Sequence, residues 1–187
     1  MQTFVTCGRP PRSPLLRGLV QHLWYVSDPG AAGYELKLPT TSAQILINLT
    51  GGPLTARVVS GSNPTAAAVG PVGLSSIQPG AVVLDRTEQQ RIAGVVIRPE
   101  AVGAVAGIPA DRIDSLTGLA DLWGSKVERL LTTAGPDRTG SETIDRIEST
   151  LEGTMLRRAT ADPLARDAVA ALRQGMPVGQ IGGRLDE

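Results

Sequence analysis

A chain of 187 residues with 41% hydrophobic and 19% charged side chains can bury a real core. Its formal net charge is zero, so it lacks the basic excess of a module that binds DNA by itself. A single cysteine, Cys7, excludes a disulfide framework and a zinc site built on cysteines. No window reaches the roughly 20 apolar residues of a membrane span, and no apolar signal segment opens the chain. We therefore expect a cytoplasmic protein without membrane contact.

The chain divides into two halves of different composition. Residues 15–98 are rich in Val, Ile, Thr, Gly and Pro, whereas residues 99–187 are rich in Ala, Leu, Arg, Asp and Glu. A run of short strands followed by a run of helices is typical of an α+β fold.

The first half reads as a series of short strands. Residues 14–26 predict a short helix or turn that leads into a strand. Tyr34, Leu36 and Leu38 then alternate with charged residues, as in a half-buried strand. Residues 43–49 (AQILINL) form another strand, and further runs make six or seven strands in all, with turn signals about every 8–12 residues. This pattern predicts a small barrel or sandwich.

Helical spacing begins at Pro99, a residue suited to the first turn of a helix, and a first helix ends at Gly107. Apolar residues at three- and four-residue steps between Leu119 and Leu131 predict one amphipathic helix that includes Trp123. A Thr139–Glu142 capping box precedes an apolar stripe. The stripe consists of Ile144, Ile147, Leu151 and Met155. Further helices are expected from Pro163 to Gly175 and within residues 177–187.

Several motifs follow one another in a recognisable order. They are Gly-Val-x-x-Arg-Pro at residues 94–99, Gly-x-Pro-Ala at 107–110 and Leu-x-Asp-Leu-Trp-Gly at 119–124. An early Trp24-Tyr25 pair and the strand at 43–49 fit the same order. Together they resemble the amino-terminal domain of an actinobacterial branch of the AraC/XylS transcription regulators, over roughly residues 14–185. Ile97-Arg98, where relatives often have Phe-Arg, and Glu100, where they often have glycine, depart from the pattern.

The resemblance implies a cupin-like antiparallel β-barrel followed by a helical subdomain used for dimerisation. The corresponding domains are residues 1–98 for the barrel, 99–175 for the helices and 176–187 for the start of a helix-turn-helix module. In the family a carboxy-terminal double helix-turn-helix module reads the operator. The expectation is that this module is missing here, either because the chain was cut or because the gene is short. DNA would then be bound only through that absent module.

A metal or a catalytic centre is not expected. His22 is the only histidine, so a metal site with two or three histidines cannot form within one chain. Nucleophilic catalysis needs a base beside the nucleophile, and no Gly-x-Ser-x-Gly motif occurs. No cofactor is expected, and the chain is interpreted as a non-enzyme. A metal-free cupin-like isomerase or lyase and a short regulator acting by protein interaction remain the alternatives.

A small-molecule effector in the barrel is the leading functional hypothesis. The candidate ligand-binding residues are Trp24, Tyr25, Tyr34, Gln44, Asn48 and Arg98. Gln44 and Asn48 would be buried if their strand face points into the barrel, and solvated if Ile45 and Ile47 do; we favour the second arrangement. Arg98 suits an anion contact or, more simply, a structural salt bridge.

The stripe of Ile144, Ile147, Leu151 and Met155 has three interpretations. It can pack on the barrel, pack on a neighbouring helix, or form the two-fold interface of a homodimer. The dimer interface is the functional hypothesis. Trp123 is interpreted as part of the helix–barrel interface.

Overall fold

A computed structural model describes residues 4–59, 65–77, 80–135, 138–155 and 163–177. The strands are β1 (Val5–Arg9), β2 (Val20–Ser27), β3 (Tyr34–Lys37), β4 (Gln44–Asn48), β5 (Leu54–Val59), β6 (Thr65–Val69), β7 (Val72–Ser75), β8 (Ala81–Asp85), β9 (Arg91–Ile97) and β10 (Leu116–Gly118). The helices are α1 (Pro14–Arg17), α2 (Val102–Ala106), α3 (Leu119–Trp123), α4 (Lys126–Ala134), α5 (Gly140–Met155) and α6 (Pro163–Arg173). Short 3-10 turns cover Pro99–Ala101 and Ala110–Arg112.

The strands form two antiparallel sheets. The large sheet has the order β1-β2-β9-β4-β7-β10, and the small sheet has the order β3-β8-β5-β6. Side chains alternate between the two faces of a strand, so each sheet has an inner face toward the other sheet and an outer face away from it. The outer face of the large sheet is covered by helices. The predicted α+β class is confirmed, and two facing antiparallel sheets followed by helices make the fold cupin-like.

The main hydrophobic core lies between the large sheet and the helices. Ile45 and Ile47 of β4 are 1% and 0% exposed and point to this layer. α5 supplies its whole apolar stripe, and α1 contributes Leu16. Each fully buried aliphatic side chain contributes roughly 1.5–3 kcal/mol, so this layer rather than the space between the sheets dominates stability.

Local chemistry explains where the helices begin and end. The side chain of Ser13 accepts from the backbone N–H of Leu16, and Pro14 occupies the first turn of α1. In the predicted capping box, Glu142 accepts from the Thr139 N–H at 3.0 Å, and the Thr139 hydroxyl accepts from the Glu142 N–H at 3.3 Å. The sequence-based start of α5 is therefore confirmed.

The single amphipathic helix expected around Trp123 is two helices. Gly124 adopts φ 62° and ψ −146°, a conformation that ends α3 before α4 begins. Trp123 is still buried as expected, and its indole N–H donates to the carbonyl of Val105 at 2.9 Å.

Three strands, β1, β6 and β10, lie where the sequence did not indicate them, and β6 pairs with β5. β1 occupies residues 5–9 and pairs with β2. β10 follows the first helices, yet it returns to the large sheet and pairs with β7. The barrel therefore draws on residues beyond position 98, and the expected boundary between residues 98 and 99 does not separate barrel from helices. The helix expected at the carboxyl end lies mostly in residues 178–187, outside the described part.

Candidate functional site

A cavity opens between the inner faces of the two sheets. The cavity has a volume of about 540 Å³ when the part open to solvent is included. The centre of a water molecule can reach only about 40 Å³ of this volume. The apolar lining is made by Leu38, Leu46, Leu54, Ala56, Val82, Leu84 and Leu116. A space for the centres of a few waters is smaller than the usual drug-sized pocket. The site is a narrow apolar slot, suited to a ligand of small cross-section.

A few polar groups interrupt this lining. They are Lys37, Thr40, Thr55, Ser75, Gln89 and Ser115. Gln89 is 4% exposed and its amide donates to the Thr55 carbonyl at 3.2 Å, so it has a structural partner. Among the described lining residues Lys37 is the one ionisable side chain. An apolar wall with few polar groups is the usual composition of a small-molecule site.

Lys37 faces the cavity because β3 has the opposite orientation from the one expected. Tyr34 and Leu36 are 67% and 60% exposed on the outer face of the small sheet. Glu35 and Lys37 therefore take the inner side of β3. The alternation of side chains predicted a strand correctly. It could not show that Glu35 and Lys37, and not Tyr34 and Leu36, lie on the side facing the large sheet.

Trp24 and Gln44 lie together on the inner face of the large sheet. The Trp24 indole N–H donates to the Gln44 side-chain oxygen at 3.2 Å. Trp24 lies flat against Gly94, where an added Cβ would be 2.1 Å from the ring. Leu46, on the same face of β4, lines the cavity, but Trp24 and Gln44 are outside its lining. These two candidates are beside the slot and do not form its wall.

The buried side chain of Asn48 holds the loop after β4 in place through its hydrogen bonds. It is 0% exposed, and its amide donates to the carbonyls of Gly52, Pro53 and Glu88 at 2.9–3.2 Å. Its oxygen accepts from the backbone N–H and the hydroxyl of Thr50. The favoured arrangement, with Gln44 and Asn48 solvated and Ile45 and Ile47 in the barrel, is wrong. Asn48 is nevertheless satisfied by the protein itself and needs no ligand.

The other three candidates lie away from the cavity. Tyr25 is 4% exposed on the helix side, where a Cβ at Gly140 of α5 would be 2.6 Å from its ring. Tyr34 lies on the outer face of the small sheet under the guanidinium of Arg57, 5.8 Å from the ring centroid. The Arg98 guanidinium donates to the carbonyl of Arg17 at 2.8 Å. The structure thus gives none of these three a place in the ligand slot.

The proposed dimerisation stripe is buried inside the subunit. Ile144, Ile147, Leu151 and Met155 are each 1–2% exposed. α5 packs them on β1, β2 and α4. The interpretation of this stripe as a dimer interface is corrected, because these side chains leave no apolar area for a second subunit. They belong to the packing of helices on the barrel, which the sequence had also allowed.

A polar cluster fastens the amino-terminal segment to α5. Glu148, 6% exposed, binds the Arg9 guanidinium at 2.6 Å and accepts from the backbone N–H groups of Arg12 and Ser13 at 2.5 and 2.7 Å. Asp145 takes the other Arg9 nitrogen at 2.5 Å. The hydrogen bond from Arg9 holds the pKa of Asp145 below its ordinary value. No sequence pattern indicated this cluster, because Arg12 and Ser13 lie 136 and 135 residues from Glu148.

In the described part of the chain, no group of three or more His, Cys, Asp or Glu side chains could hold a metal ion. In the same part, no helix is long and apolar enough to cross a membrane.

Comparisons with known proteins do not identify a family for this chain. No family model matches the chain, and no curated protein matches it. Among solved structures, a cupin domain from Bordetella pertussis Tohama I is similar over 51% of this chain and 93% of that chain, with 13% identity and a TM-score of 0.29. A likeness at this TM-score carries no argument about this chain. The class defined here is a cupin-like α+β domain with a narrow apolar slot between its sheets.

Proposed function

We propose that this chain is the ligand-sensing and dimerisation part of an AraC-type transcription regulator, and that a small effector binds in the slot between the sheets. The observation that carries the proposal is the slot itself, an apolar space with a few polar groups in its wall. The motif order at residues 94–124 supports the regulator class, and DNA would be bound by a helix-turn-helix module of the regulator rather than by the barrel.

The large sheet offers a physical route from effector to helices. Leu46 lines the slot, whereas its neighbours Ile45 and Ile47 on the same strand pack in the helical core. A ligand that moves β4 must therefore also repack the layer that holds α5. By population shift, such a ligand would favour one arrangement of the helices and of any module attached to them.

A binding role suits the slot better than catalysis. General acid–base chemistry needs two titratable groups placed around the reacting atoms. The described lining offers Lys37 and otherwise neutral side chains. Homodimerisation remains part of the proposal, and it has to use a surface other than the buried stripe of α5.

Native mass spectrometry of the chain purified from its own cells tests the proposal. We expect a dimer that carries a discrete added mass. Leu84→Trp, which fills the slot, should remove the added mass; Leu36→Trp, on the exposed face of the adjacent strand, should keep it. A monomer without added mass, or a mass retained by both variants, would refute an effector site in the slot.

A further inference from the structure

Lys37 is an amine at the wall of an apolar slot, on the last residue of β3. Within the described part of the chain, its ammonium makes no hydrogen bond and no ion pair. An ammonium carries three hydrogen-bond donors and no acceptor, so a carboxylate can accept from it. The half-buried Lys37 side chain therefore places a positive charge at the wall of the slot, and in the described part of the chain no carboxylate forms an ion pair with it.

The neighbouring carboxylate is already engaged elsewhere. Glu35 lies on the same side of β3, two residues before Lys37, but its side chain pairs with Arg86. Arg86 also reaches Asp28 at 3.6 Å. Burial lowers the pKa of Lys37, and Glu35 offsets that effect only in part. An anion bound in the slot could therefore form the ion pair that Lys37 does not make within the protein.

We propose that the effector is an apolar carboxylic acid whose carboxylate binds the Lys37 ammonium while its hydrocarbon part fills the slot between the sheets. This inference rests on the proposed effector site and names the chemical class of its ligand. One ammonium balances one carboxylate, whereas a phosphate dianion would leave a charge uncompensated among Leu46, Leu54 and Leu84. The narrow bore favours a slim aliphatic chain over a bulky ring system.

The chain offers a matched control for this residue. It contains two lysines, Lys37 in the slot and Lys126 at the start of α4. Lys37→Met removes the charge and keeps an unbranched apolar side chain, and Lys37→Arg keeps the charge. Lys126→Met removes the same charge from a position outside the slot. Octanoate, octan-1-ol and octan-1-amine share one hydrocarbon chain and differ in the head group, so they serve as probes.

Isothermal titration of the full chain with the three probes gives the test. Wild type should bind octanoate about tenfold or more tightly than octan-1-ol, because a charge-assisted hydrogen bond is about twice as strong as a neutral one. Lys37→Met should lose this preference and keep its affinity for octan-1-ol. Lys37→Arg and Lys126→Met should retain the preference.

The outcomes separate the two proposals. If octan-1-ol binds but octanoate is not preferred, or if Lys37→Met keeps the preference, the slot stands and the role of Lys37 is overturned. If none of the three probes binds wild type, the apolar acid and the effector slot both fall. Carbon-13 reductive methylation provides a readout in the unmutated chain, because octanoate should shift the Lys37 signal and leave the Lys126 signal in place. A shift of Lys126 alone would overturn the assignment.

Discussion

Replacing Glu148 by alanine tests whether the polar cluster is what holds the amino-terminal segment on α5. The substitution removes the carboxylate that binds Arg9 at 2.6 Å and accepts two backbone N–H groups at 2.5 and 2.7 Å. The side chain is 8% exposed, so water cannot readily replace these bonds. Arg9 would keep Asp145 as its remaining partner.

The expected magnitude follows from these contacts. An acceptor removed from a buried donor costs about 1–3 kcal/mol, and breaking a buried ion pair by removing one partner costs about 3–5 kcal/mol. These terms share one side chain and do not add fully, so we expect a loss of about 3–5 kcal/mol for Glu148→Ala. Glu148→Gln loses the ion pair but keeps an oxygen that accepts from both N–H groups, so we expect its loss to be about 1–3 kcal/mol smaller than that of Glu148→Ala.

Equilibrium unfolding in urea, followed by far-ultraviolet circular dichroism, measures both values. Because small domains are stable by only about 5–15 kcal/mol, the alanine variant should unfold at a much lower urea concentration. A loss below about 1 kcal/mol for Glu148→Ala would refute the reasoning. Equal losses for the alanine and glutamine variants would show that the charge matters and the backbone bonds do not.

Two further predictions concern packing and pH. Gly94→Ala should cost about 1–3 kcal/mol, because its Cβ would lie 2.1 Å from the Trp24 ring; Gly70→Ala, with open space at its Cβ, should be nearly neutral in the same urea titration. The Arg9 hydrogen bond lowers the pKa of Asp145, so its contribution to stability is present above the pKa of the unfolded carboxyl and lost as the pH falls through the lower folded value. Asp145→Asn should flatten the acid limb of the stability–pH curve, and an unchanged limb would contradict the assignment.

The sequence predicted local structure well where chain neighbours decide it. The capping box at Thr139 and Glu142, the helix end at Gly107 and the strand at residues 44–48 are all set by residues within a few positions of one another. The order of strands before helices was likewise visible in composition. These features need no knowledge of the rest of the chain.

The sequence failed where the answer depends on a distant partner. Alternation along β3 fixes two faces, but the small sheet decides which one meets the cavity, and Lys37 was therefore missed. An apolar stripe on α5 looks the same whether it covers a barrel or a second subunit. Since β4 has one face in the slot and the other in the helical core, both of its faces were candidates for burial.

The two tryptophans are intrinsic fluorescent probes on opposite sides of the large sheet. Trp24 stands beside the slot on the inner face of the large sheet, and Trp123 is buried in the helical layer behind that sheet. Single-tryptophan forms, obtained by changing the other one to phenylalanine, would emit from one layer each. The rate at which the fluorescence of each form changes after ligand addition would show how fast each side of the sheet responds, without any attached dye.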